Sequence, residues 1–161
     1  MRLLKTAAMG GIGLVMIATG PAFAESQSKI APTVAYSTMH KTHRVVIQVT
    51  QNDPAVMNMA LNNGENLVKY YQDKGEKIEI EFVAYGAGLN MMRSDTSPVK
   101  ERLTAISSMK NVTFTGCGNT LANQSKQENK AITLVPEARV VPTGIARIVE
   151  LEEQGWTYVR P

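Results

Sequence analysis

The stretch HRVVIQVTQNDP, His43 to Pro54, decides the fold. Val45, Val46, Ile47 and Val49 make a short, nearly continuous β-branched run, the pattern of a strand buried on both faces. Asn52-Asp53-Pro54 follows at once. Asp53 is a helix N-cap by type and Pro54 suits a first turn. A strand that turns directly into a helix is the first half of a parallel crossover unit. The spacing predicts a helix to about Gly75, with Val56, Ala60, Leu67 and Tyr71 on its inner face. Gly64 lies on that face too, which is tolerable if a strand backbone packs closely there.

The alternation continues outward. Lys77–Tyr85 reads as a second strand, polar and apolar by turns at first and apolar at its end. It feeds a loop, Gly86–Asp95. A helix is predicted from Ser97-Pro98, with Val99, Leu103 and Ile106 inward. Asn111–Thr115 reads as a third strand and runs into Gly116-Cys117-Gly118, after which Asn119 or Thr120 is placed to cap a short helix through about Gln127. A polar stretch leads to a fourth strand, Ala138–Val141. Pro142-Thr143-Gly144 opens a helix carrying Ile145, Ile148, Val149 and Leu151, Gly155 ends it, and Trp156–Val159 is the last strand. The expected fold is therefore a three-layer α/β/α domain over 43–161, with a mainly parallel sheet of about five strands. In such sheets ligands collect at the carboxyl ends of the strands. That edge gathers Asn52, Asn90 and Arg93 of the Gly86–Asp95 loop, Cys117, Asn119, Thr120 and Pro142–Gly144.

The segment before the domain has a different character. Arg2 and Lys5 precede an apolar stretch from Ala7 to Ala18, Gly20-Pro21 breaks it, and Ala22-Phe23-Ala24 has the small-x-small form of a cleavage site. We read 1–24 as a signal peptide, too short in its apolar part to span a bilayer, and 25–42 as a flexible N-terminal arm. The implied location is the periplasm, with no membrane attachment after cleavage. Without Arg2 and Lys5 the 17 basic residues fall to 15, against 14 acidic ones. No basic block remains to recommend a nucleic-acid partner.

Cys117 is the single cysteine, so no disulfide forms within the chain. Its position after a strand and before a helix offers an anion unpaired N–H groups and the positive end of a helix dipole. Such a site lowers a thiol's pKa and makes it nucleophilic. Gly116 and Gly118 are expected to leave room beside the sulfur. The residues leave a second reading open, in which Cys117 is a small buried hydrophobe. Without a second cysteine a dithiol cycle is excluded. His40 and His43 fall at the opposite edge of the sheet, which argues against a cysteine–histidine hydrolase, and as a pair they lack further metal ligands. Gly86-Ala-Gly88 lacks the third glycine of a dinucleotide fingerprint, so no cofactor is expected. Met57, Met59 and Met109 fit helices, while Met91 and Met92, adjacent in the loop near the cysteine, raise the question of copper. Arg93 is a candidate to hold an anionic sulfur species.

The stretches VVIQVTQNDPAVMNMALNN (45–63), VAYGAGLNMMR (83–93), SPVKERL (97–103), FTGCGNT (114–120) and VPTGIARIVELEEQGW (141–156) together resemble the DsrE/DsrF-like family, in an exported single-domain form. The resemblance implies a flavodoxin-like variant of the α/β fold that assembles as trimers or hexamers. It also implies a sulfur carrier of sulfurtransferase type, with Cys117 matching the cysteine that bears a persulfide or mixed disulfide. The partners implied are a sulfur donor or acceptor, protein or small compound. The alternative is a non-catalytic periplasmic binding or assembly module whose cysteine is structural.

Overall fold

The structure, a computed structural model, describes residues 41–161. The expected signal peptide, most of the arm and His40 lie outside the described residues. Five strands alternate with four α-helices: β1 Thr42–Val49, α1 Pro54–Asp73, β2 Lys77–Ala84, α2 Lys100–Ser107, β3 Val112–Cys117, α3 Gly118–Gln127, β4 Ala138–Val141, α4 Gly144–Glu153 and β5 Thr157–Val159. All pairings are parallel, in the order β4-β3-β2-β1-β5. The strand outside β1 is thus the last of the chain, whereas in the flavodoxin order it is the second.

The sheet divides two unequal cores. On one face Val45, Ile47 and Val49 of β1, Ile78, Ile80, Phe82 and Ala84 of β2 and Phe114 of β3 pack under α1 and α2. On the other, Val46 and Val83 meet Ile148 and Leu151 of α4, with Tyr85 and Trp156 at the margin. Both faces of β1 and β2 are covered, which is why β1 is β-branched almost throughout.

Asp53 caps α1, accepting from the Ala55 N–H at 2.7 Å, and Pro54 occupies its first turn. The buried stripe of α1 is Met57, Ala60, Leu61, Gly64 and Val68, rotated from the expected face; Leu67 and Tyr71 flank it. Gly64 lies over Phe82 of β2. A Cβ there would lie 2.6 Å from Phe82 Cζ, so the helix is seated on an aromatic ring, where the sequence suggested a strand backbone. Phe82 stacks in turn on Phe114 at 5.1 Å.

Three further expectations are revised. Gly86–Met92 is a 3₁₀ helix rather than a loop, long for its kind. It lies so close to β1 that a Cβ on Gly88 would come within 2.3 Å of the Val49 carbonyl oxygen. Helix α2 begins at Lys100, later than Ser97-Pro98, because the Ser97 side chain is engaged with the Val99 N–H and the Met91 carbonyl. On α4, Ile148 and Leu151 are buried but Ile145 and Val149 face outward.

Candidate functional site

Cys117 ends β3 and is itself the N-cap residue of α3, the place expected for Asn119 or Thr120. Parallel register fixes its neighbours. Ala84 pairs with Gly116, so Tyr85 stands beside Cys117 one step further on. Cys117 pairs with Val141 on its other side. Strand alternation puts the side chains of Tyr85, Cys117 and Val141 on the face that α4 covers. The first residue of α4, Gly144, closes over them. A Cβ on Gly144 would lie 3.1 Å from Tyr85 Cβ and 3.2 Å from Cys117 Cβ, so only glycine admits both.

Two helix starts therefore converge on the sulfur. Burial pushes the thiol's pKa up, since Cys117 is only 5% exposed. The Thr120 hydroxyl and the N–H groups of Gly144, Thr120 and Asn119 outweigh that effect, and the net pKa lies below the ordinary thiol value. No N–H makes a capping bond of ordinary geometry to the side chain. The stabilisation is the field of several aligned dipoles acting together.

The surrounding hydrogen bonds hold those dipoles in place. Asn119 ties the two helix starts together, its backbone N–H donating to the Pro142 carbonyl at 3.1 Å and its side-chain amide to Thr143 Oγ1 at 3.0 Å. Thr120 Oγ1 accepts from the Gly86 N–H at 3.1 Å, which leaves its own proton for the sulfur. Asn119 and Thr120 thus belong to the site as residues that shape it.

The glycines beside the cysteine do not leave open room, as the sequence suggested. A Cβ on Gly116 would fall 2.5 Å from Leu134 Cδ1 and 3.1 Å from Leu89 Cδ1. One on Gly118 would lie 3.1 Å from the Val141 carbonyl oxygen. Their missing side chains admit the protein's own 3₁₀ segment, Leu134 and β4.

Arg93 is not free to hold an anion. It is buried, and all five N–H donors are engaged by Asp95, Glu128 and Gln124. It fastens the 3₁₀ segment to α3. Asn90 donates to Asn52 Oδ1 at 2.8 Å and accepts from Thr96. Asn52 and Asn90 share the carboxyl edge of the sheet with Cys117 but form a separate cluster. Met91 and Met92 are both fully buried in the larger core, which removes them from any ligand role. Met57 is buried, Met109 partly so, and Met59 is exposed. His43 stacks on Tyr71 at 3.9 Å and bonds Glu76 at 2.6 Å, at the amino edge of the sheet. Among the described residues no group of three or more His, Cys, Asp or Glu is disposed to hold a metal ion.

Three features of the site escape a reading of the sequence. Tyr85 is one. The second is the segment Ile132–Val135, inside the stretch read as polar. Ile132 and Val135 are buried, Val135 N–H donates to the Met92 carbonyl at 2.8 Å, and Leu134 bridges Arg93. The third is Glu81, 2% exposed in the middle of β2. Its carboxylate accepts from Arg147 Nε and Nη2, from Arg139 Nη2 and from Thr115 Oγ1, at 2.8 to 2.9 Å. Burial alone raises its pKa; Arg147, Thr115 and Arg139 bring it below the usual carboxylate range. The bidentate Arg147 pair moors the first turns of α4, and so the Gly144 N–H, to the sheet. The one available signal was a glutamate, Glu81, in a strand that must be covered on both sides, with arginines at 139 and 147 to answer it.

The fold and the site together define an α/β protein with a five-stranded all-parallel sheet and a buried thiol at a strand-to-helix junction. Among solved structures the chain is similar to MTH1491 of Methanobacterium thermoautotrophicum, described as a protein of unknown function. The identity is 29%, the TM-score 0.63, and the likeness covers 74% of this chain and 99% of that one. No family model matches the chain, and no curated protein matches it.

Proposed function

We propose that this is an exported sulfur carrier of sulfurtransferase type, which holds sulfane sulfur on Cys117 as a persulfide or mixed disulfide. The observation that carries the reading is the set of dipoles around the sulfur. The Thr120 hydroxyl and three N–H groups from the starts of α3 and α4 favour an anion, and both a thiolate and a terminal persulfide are anions. The DsrE/DsrF resemblance of the sequence supports it, as does the basic and apolar leader for export.

The chemistry balances without an added oxidant. The Cys117 thiolate, its proton already lost to solvent, attacks a sulfane sulfur of a polysulfide. A new S–S bond forms, the donor's S–S bond breaks, and the shortened polysulfide leaves as an anion. In the second half an acceptor thiolate attacks the outer sulfur, and the Cys117 thiolate leaves. Polysulfide treatment of the native protein is expected to add the mass of sulfur, dithiothreitol to remove it, and Cys117→Ser to abolish the adduct while keeping the fold. A native thiol that never loads, or a Ser variant that unfolds, overturns the proposal.

The second reading is a binding or assembly module with a structural cysteine. The near-complete burial of Cys117 favours it, together with the outward-facing Ile145 and Val149 on α4 and Val140 on the edge strand β4. Both readings are of a protein that assembles with copies of itself.

A further inference from the structure

We propose that the open edge of β4 is a two-fold interface, where β4 of a second copy of this chain pairs antiparallel with it, centred on Val140, and joins two five-stranded sheets into one. The interface is independent of what Cys117 does. Strand β4 ends the sheet and is paired on one side only. The Asn119 N–H donates to the Pro142 carbonyl, so the backbone groups of Pro142, and by alternation those of Val140, point inward. Those of Arg139 and Val141 point away from the sheet and need water or another strand as partner. The opposite edge is blunted, since β5 has three residues and Arg160-Pro161 follow it. The β4 edge instead carries an apolar residue near its middle, Val140, 54% exposed.

A two-fold axis at Val140 answers these features together. Arg139 then lies opposite the partner's Val141, and each such pair exchanges both N–H···O bonds. Val140 meets its own counterpart in the closer, non-hydrogen-bonded pairing, with Cα atoms about 4.5 Å apart, and each side chain covers the other. On the other face of the sheet a cleft of about 370 Å³ lies between the β4 edge and α4, lined by Arg139, Val141, Thr143, Arg147 and Glu150 among others. Arg139 donates from Nε and Nη2 to Thr115 and Glu81, which leaves Nη1 without an acceptor among the described residues. Glu150 is exposed, and its one ionic partner among the described residues is Arg147, at 3.5 Å. Standing opposite the partner's Val141, Arg139 faces the partner's cleft and the partner's Glu150 in it, and symmetry repeats the contact. A second copy is the occupant because one segment and its cleft supply the apolar centre, the base and the acid, and because a two-fold contact closes on itself.

The test is a disulfide across the axis. Cysteines at position 140 of two copies lie within disulfide range, whereas Cys117 is three strand spacings of about 4.8 Å from its counterpart and beyond reach. Under diamide, Val140→Cys is expected to give a linked dimer on a non-reducing gel at least about tenfold faster than Ile145→Cys, an exposed α4 position away from the axis, and the wild type to give none. Val140→Lys sets like charges opposite each other, and light scattering at micromolar concentration should show the particle mass reduced about twofold or more, with the far-UV circular dichroism unchanged. Should the lysine variant fail to fold, the cysteine comparison decides. Linkage of Val140→Cys no faster than that of Ile145→Cys, or an unchanged mass in folded Val140→Lys, overturns the interface. A monomeric wild type overturns it too and leaves the edge to a strand of another protein.

Discussion

At the scale of single residues, the site turns on atoms that are missing as much as on those present. Gly144 has no Cβ, so Tyr85 and Cys117 share one contact surface beneath the start of α4. Gly88 has none, so the 3₁₀ segment rests on the end of β1. Gly88→Ala would drive a methyl group into the Val49 carbonyl at 2.3 Å. Backbone cannot yield as a flexible side chain does, and we expect a loss of at least about 3 kcal/mol, the upper part of the overpacking range, measured by urea denaturation. The sulfur itself gives a sharper signal. Because the folded-state pKa of Cys117 is held below the ordinary thiol value, the rate of alkylation should reach its plateau at a lower pH than for a model thiol of pKa about 8.5. Thr120→Val removes the hydroxyl that contributes most to that lowering, and the plateau should move to higher pH with Cys117 still folded into place.

At the scale of elements, two ionic clusters do the joining, and they differ in kind. Glu81 is buried within the sheet and binds α4 and β4 to it through Arg147 and Arg139. Glu81→Gln leaves Arg147, largely buried, without its carboxylate, and we expect a cost of about 3 kcal/mol, at the low end for a broken buried pair because Arg139 is half exposed. It should also loosen the start of α4, so the pH at which Cys117 alkylation plateaus should rise, an effect that mere loss of stability does not produce. The Arg93 cluster joins the 3₁₀ segment to α3. Arg93 holds Glu128 down to about 2 and Asp95 lower still. Both carboxylates are depressed in the folded state, so their contribution is complete above their unfolded values, near pH 4, and is lost as pH falls through about 2. The urea midpoint should therefore drop between those limits, and drop less steeply in Arg93→Met.

At the scale of the whole molecule, the unequal layers set what can happen on each side. The α1 and α2 face is a continuous apolar core, while on the α4 face Glu81, Thr115, Gln48 and Tyr85 take positions that aliphatic residues would otherwise fill. That face holds the Cys117 thiol, and its outer helix carries Ile145 and Val149 at 51% and 48% exposure. We expect light scattering to show a homo-oligomer at micromolar concentration; a monomer would remove the assembly from both functional readings. Protein recovered from an exporting host should begin at Glu25, as amino-terminal sequencing would show. Among the described residues no helix is long and apolar enough to cross a membrane.

Local chemistry was enough to place the strands and most helices. The β-branched run of β1, the Asp53-Pro54 corner and the inward Val99, Leu103 and Ile106 each report on their own segment, and each lies where periodicity put it. The same locality placed Cys117 at a strand-to-helix junction. The sequence also placed Pro142–Gly144 at the sheet's carboxyl edge with Cys117, but the closer packing was settled by elements distant in the chain: Tyr85 from the end of β2, Leu134 from a stretch that reads as polar, and Gly144 as the point where α4 closes down. Arg93 reads alike whether it faces solvent or two carboxylates, and its partner Glu128 is 35 residues away. Glu81 reads as a solvent-facing residue in an alternating strand until Arg139 and Arg147, 58 and 66 residues on, are brought over it. Burial and charge pairing depend on which distant segments the sheet order brings together. A period of two or 3.6 residues carries no information about that order.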